Sequence, residues 1–139
     1  MEKQLVLRKM GIEDLHQDSK NWISHLHFMA DEIIFFDHLL NSYVFEPDTP
    51  SLFEDLQKYQ RRLKESKKLC SRVIGDILEH ENKLGGLVEI LNSTLDQAYQ
   101  TKHQQFRVEV EDCLNDFRRL KSDLFSYASG ILKKRHRKK

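Results

Sequence analysis

Apolar residues recur at alternating steps of three and four along nearly the whole chain, which commits it to helices that each bury one narrow face. The first run is Ile12, Leu15, Trp22, Leu26, Met29, Ile33, Phe36, Leu40 and Tyr43, with Ser19 its one polar member. The second is Leu52, Leu56, Tyr59, Leu63, Ser66, Cys70, Val73, Ile77, His80, Leu84, Leu87 and Leu91. The third is Tyr99, His103, Phe106, Val110, Cys113, Phe117, Leu120, Leu124, Tyr127 and Ile131. Such spacing is the seam of coiled-coil-like packing. With 2 Pro and 5 Gly in 139 residues, and 32% of the chain charged, turn-forming material is scarce and helix-solvating residues are plentiful. The expected fold is therefore all-α, an antiparallel up-down-up bundle of three long helices.

The connections are marked by breakers. Pro47 and Pro50 in "FEPDTPS" end the first run; Pro50 suits a first helical turn, and Ser51 with Glu54 forms a candidate capping box. The second seam crosses Gly85 and Gly86 without losing phase, so "HENKLGG" reads as helix interior with the glycines permitting close approach. The second turn is expected at the Leu91–Asn92 junction, with Ser93 and Asp96 capping the third helix. Folding the seams about these two turns stacks Trp22 with Val73 and Val110, Met29 with Ser66 and Phe117, and Ser19 with Ile77 and Phe106. It also stacks Leu26 with Cys70 and Cys113, and Leu15 with His80 and His103. A slip by one heptad would preserve the seams and move the turns, so the spacing alone leaves a choice of register.

One domain over residues 1–132, followed by a basic tail at 133–139, accounts for the chain. The tail residues Lys133, Lys134, Arg135, Arg137, Lys138 and Lys139 belong to 23 basic residues set against 22 acidic ones, so without these six the body is near −5. No apolar run approaches the ~18 residues of a membrane span, and the N-terminal stretch lacks the apolar core of a signal peptide. The expectation is a soluble cytoplasmic protein with no transmembrane segment. Cys70 and Cys113 form no metal or disulfide spacing and read as small apolar core residues.

Three surfaces invite function. His80 and His103 point into one layer, where His16 with Glu81 or Glu79 could complete a metal shell; the plainer reading is a neutral hydrogen-bonded histidine layer that fixes register. His25, Glu32, Asp37 and His38 on helix one do not converge and read as solvated flanks. Phe28, Ile34 and Phe35 stand off the helix-one seam and are expected to form a stripe that is covered by Leu5–Leu7 or by a partner. The basic residues of helix two, Lys58, Arg61, Arg62, Lys64, Lys67, Lys68 and Arg72, are expected to pair with Asp31, Glu32, Asp37, Glu111, Asp112 and Asp116. The tail offers affinity for nucleic acid or an anionic surface.

No nucleophile–base pair, phosphate loop or carboxylate dyad is legible, and no cofactor is implied. The expected function is that of a small, non-enzymatic interaction or adaptor protein that binds a protein partner or a second copy of itself through helix one. The alternatives are a metal-binding bundle using the His80–His103 layer and an accessory nucleic-acid binder acting through the tail.

Overall fold

The computed structural model describes residues 11–90 and 93–137, and for residues 86–90, 93–96 and 135–137 it describes the backbone alone. Three helices pack against one another: α1 (Ile12–Leu40), α2 (Pro50–Ile90) and α3 (Ser93–Arg137), with a 3₁₀ turn at Tyr43–Phe45 between the first two. At 1.5 Å per residue they are about 43, 61 and 67 Å long. Among the described residues there is no strand, and no helix is long and apolar enough to cross a membrane.

Cross-links between elements establish the topology. His16 meets Glu81 and Gln60 meets Asn41, so α1 and α2 run antiparallel. Arg62 meets Asp123 and His80 meets His103, so α2 and α3 do the same. Asp18 with Arg107, Glu32 with Lys121 and Phe36 with Phe125 then join α1 and α3 in parallel. The up-down-up order follows directly from these pairs.

The seam residues fill the core. Leu15, Ser19, Trp22, Leu26, Met29, Ile33, Phe36 and Leu40 of α1 are buried, as are Leu63, Cys70, Val73, Ile77 and His80 of α2 and His103 to Leu124 at seam spacing on α3. The thiol of Cys70 donates to the Leu26 carbonyl at 3.2 Å, and the Cys113 sulfur lies 3.9 Å from that of Met29, so the thiol layer forms as the spacing implies. Burial raises the Cys70 pKa and pushes Cys113 up to about 11. Both thiols are therefore poor nucleophiles at neutral pH.

The element ends depart from the sequence reading in several places, each for a local reason. α1 stops at Leu40 because Asn41 and Ser42 turn their side chains back onto the Asp37 and Leu39 carbonyls, both at 2.7 Å. Such bonds compete with the next helical turn. Tyr43 is consequently 84% exposed, and Phe45, carried inward by the 3₁₀ turn, takes the core place expected of Tyr43 and packs 6.0 Å from the Tyr127 ring. Ile12, in the first turn of α1, is half-exposed as well. The cap of α2 is Thr49 rather than Ser51, since the Leu52 amide donates to its Oγ1 at 3.2 Å while Pro50 occupies the first helical position. α3 continues past Leu132 to Arg137, so the basic segment up to that residue is helical. The Leu91–Asn92 turn lies outside the described residues.

Gly85 and Gly86 are helical, as the unbroken phase requires. Close approach is not the reason for Gly85, because a Cβ there would meet nothing within 4 Å; the same holds for Gly75. Gly75→Ala and Gly85→Ala should each stabilise the protein by up to about 1 kcal/mol, since helical glycine costs backbone entropy that alanine does not. Urea denaturation of the double variant checks this, and a lower midpoint than the parent's would show that the glycines are structurally required.

Candidate functional site

The layer built on His80 and His103 joins all three helices. His80 Nε2 lies 2.9 Å from His103 Nδ1, and His103 Nε2 lies 3.0 Å from Asp18 Oδ2. Arg107 donates to the same carboxylate oxygen at 2.7 Å. An ionised carboxylate only accepts, so His103 carries its proton on Nε2 and donates it to Asp18. His103 Nδ1 is then a bare acceptor, and His80 donates from Nε2. One relay, His80 to His103 to Asp18, is satisfied with both imidazoles neutral.

Aromatic rings hold the relay in place. His80 stacks on Tyr99 with centroids 3.9 Å apart and planes 5° from parallel, and Phe106 closes on its edge at 4.9 Å. His103 lies against Trp22 at 4.5 Å, and the Arg107 guanidinium sits 5.7 Å from the Trp22 ring centroid. Burial lowers the His80 pKa to about 4, with smaller contributions from His103, Lys83 and Lys102. Burial also lowers that of His103, against the opposing pull of its bond to Asp18. The relay is thus a neutral, desolvated network.

The four residues considered as metal ligands form two bonded pairs rather than one shell. His80 and His103 meet each other, while His16 Nδ1 meets Glu81 Oε2 at 2.7 Å across the α1–α2 interface. Both nitrogens of His103 are engaged, and among the described residues no group of three or more His, Cys, Asp or Glu side chains is arranged to hold a metal ion. Asp18 and Arg107 were missed by the sequence reading because neither lies on a seam. The parallel register of α1 and α3 is the signal that places both beside His103.

Helix one divides its outer apolar residues between two sides. Phe28, Phe35 and Phe125 are 64%, 59% and 60% exposed. Phe36 is in ring contact with Phe35 at 5.4 Å and with Phe125 at 5.5 Å, so the latter two rings border one α1–α3 face. Ile34 does not join them. It lines the α1–α2 groove with Asp37, His38, Asn41, Gln60, Lys64 and Lys67, as its ~100° offset from Phe35 on the helix demands. The single stripe expected of Phe28, Ile34 and Phe35 is therefore corrected to two, with Phe125 the aromatic member that the sequence reading missed. Leu5–Leu7 lie outside the described residues.

The basic residues of α2 do not find the partners expected for them. Of the seven, Arg62 makes an ion pair, to Asp123 at 2.9 Å, while Glu32 pairs with Lys121 and Asp116 with Arg119. His25, Asp37 and His38 are exposed, in keeping with solvated flanks. Lys133 and Lys134 are exposed on the last turns of α3; the side chains of Arg135 and Arg137 are not described, and Lys138 and Lys139 lie outside the described residues.

Fold and site together define a long three-helix bundle with a buried histidine relay at one layer and an aromatic face between its parallel helices. No family model, curated protein or solved structure matches the chain.

Because the folded-state pKa of His80 lies below the unfolded value of about 6.5, the unfolded chain takes up the proton first as pH falls. Stability is therefore fully present above about pH 6.5 and declines as pH falls toward the folded value near 4, by on the order of 3 kcal/mol. Denaturation midpoints measured across that window should fall with pH, and His80→Leu with His103→Leu should flatten the dependence. An equally steep decline in the double variant would place its origin elsewhere.

Proposed function

We propose that this chain is a non-enzymatic interaction module that self-associates through the α1–α3 face. The observation that carries the reading is the pair Phe35 and Phe125, left about three-fifths exposed on either side of the buried Phe36, with the equally exposed Phe28 two turns before Phe35 on α1. Burying the remaining three-fifths of each ring contributes on the order of 1–2 kcal/mol, so six rings in a symmetric pair supply roughly 6–12 kcal/mol, comparable to an association cost of about 4–15 kcal/mol.

Leu5–Leu7 cannot reach the Phe35 end of this face. Leu5 stands six residues before Gly11, so Leu5–Leu7 extend at most about 21 Å from it. Phe35 lies about 36 Å from Gly11 along α1. A second copy has no such limit. Because α1 and α3 run parallel, a two-fold axis perpendicular to them and in the plane of the contact lays the pair of one copy antiparallel on the pair of the other, α1 on α1 and α3 on α3, with Phe35 and Phe125 of each copy over the same residues of its partner. The contact then has the geometry of a four-helix layer.

Phe35→Glu with Phe125→Glu should convert the dimer to a folded monomer, with helicity unchanged because both side chains are already on the surface. Sedimentation equilibrium of parent and variant reads the mass directly. A parent that stays monomeric at high micromolar concentration would sink the proposal.

A further inference from the structure

None of the six acidic residues expected to neutralise α2 forms an ion pair with it among the described residues, which leaves a strongly basic helix face with little internal compensation. Residues 57–72 contain seven basic side chains and one acidic, Glu65. Arg62 is paired with Asp123, and it and Lys58 also sit near the Tyr59 ring at 5.7 and 5.5 Å. The other five, Arg61, Lys64, Lys67, Lys68 and Arg72, are exposed and have no carboxylate within ion-pair distance among the described residues. Glu32 is taken by Lys121, Asp116 by Arg119 and Asp123 by Arg62, and Asp37 accepts from Asn41 just past the end of α1, while Asp31, Glu111 and Asp112 are exposed and form no ion pair among the described residues.

We propose that this face of α2 binds the phosphate backbone of a nucleic-acid duplex, through Arg61, Lys64, Lys68 and Arg72. These four follow each other at steps of three, four and four, so they share one helix face and span about 16 Å. A duplex carries one negative charge per ~1.7 Å of its axis, so a straight rod of cations this long meets several phosphates at once. Like-charged neighbours three and four residues apart repel one another on a bare helix, and a polyanion relieves that repulsion.

The chemistry of the face selects among polyanions. Between residues 57 and 75 no large apolar side chain is exposed, so nothing on it would insert into a lipid surface. The one aromatic ring in the segment, Tyr59, is half-buried near Lys58 and Arg62 and is not free to stack on unpaired bases. Charge without stacking or insertion fits a duplex backbone, contacted without regard to sequence. Lys133 and Lys134 extend the same basic half of the bundle, because the Arg62–Asp123 pair sets the C-terminal turns of α3 beyond the start of that stripe.

The face is independent of the aromatic one, since α2 is the helix that the α1–α3 surface leaves out. The test is a fluorescence-anisotropy titration of a labelled duplex DNA with the full chain over a range of KCl concentrations, with phosphatidylserine vesicles run in parallel. The expected result is duplex binding whose log affinity falls against log salt with a slope of about −4, one unit per cation. Arg61→Gln with Lys68→Gln should reduce that slope by about 2. Arg61→Glu with Lys68→Glu should cost at least tenfold in affinity, with the circular dichroism spectrum unchanged. Lys133→Glu with Lys134→Glu should weaken binding less than the α2 reversal does. The proposal is overturned if the α2 reversal binds as tightly as the parent, if the Lys133 and Lys134 reversal is the more damaging, or if vesicles are bound and the duplex is not.

Discussion

The hydrogen bond between His80 and His103 settles what the apolar seam leaves open. A heptad seam can slide by seven residues and still present an apolar column, so burial alone does not choose among registers. The relay does choose, because it needs His80 on α2, His103 and Arg107 on α3 and Asp18 on α1 at one level. A one-heptad slip of α3 that brings Val110 to this level would set His80 against an apolar residue and strand a desolvated imidazole without its partner, a penalty of about 1–3 kcal/mol for each orphaned group. A slip the other way would part His80 from His103 and break the bond to Asp18 that His103 makes at the same level. Buried polar residues in helical bundles are best attested in this registering role. The neutral state of both rings fits it, since the bond requires one nitrogen to remain an acceptor.

That register has consequences away from the layer. It brings Phe36 beside Phe125 and Glu32 beside Lys121, and so determines which outer side chains of α1 and α3 become neighbours. The aromatic face is thus a product of the parallel α1–α3 relation and not of helix one by itself. The Glu32–Lys121 pair, formed between α1 and α3, also removes a carboxylate that α2 could have used. The uncompensated charge on α2 follows from the same geometry.

How far the sequence could be read depends on the range of the interaction. The seams, the helix interior through Gly85 and the meetings of Leu26 with Cys70 and of His80 with His103 were legible because apolar periodicity is a property of backbone geometry and needs no knowledge of rotamers. The stop at Leu40 and the Thr49 cap were not, since each rests on a short side chain choosing between competing backbone partners. Charge pairing was misread for a related reason. Long cationic side chains reach many carboxylates, and exposed pairs differ from one another by well under about 1 kcal/mol, so the pattern in sequence does not select one. Ile34 was grouped with Phe28 and Phe35 by proximity in the chain, although neighbouring helix positions point ~100° apart.

The two surfaces stand in a fixed spatial relation. In a triangle of helices, α2 is the vertex opposite the α1–α3 edge, so whatever docks on that edge is remote from the basic stripe. Two copies joined through Phe28, Phe35 and Phe125 would therefore carry their α2 faces on opposite outer sides. Neither face would screen the other, since a bundle width on each side of the interface separates them by more than the ~8–10 Å Debye length at physiological salt. Such a dimer would engage two duplex segments independently, and two weak backbone contacts on one particle would raise avidity without any further contact being made. In that proposed dimer the aromatic face would set the number of basic faces per particle, while the histidine relay sets the register on which both surfaces depend.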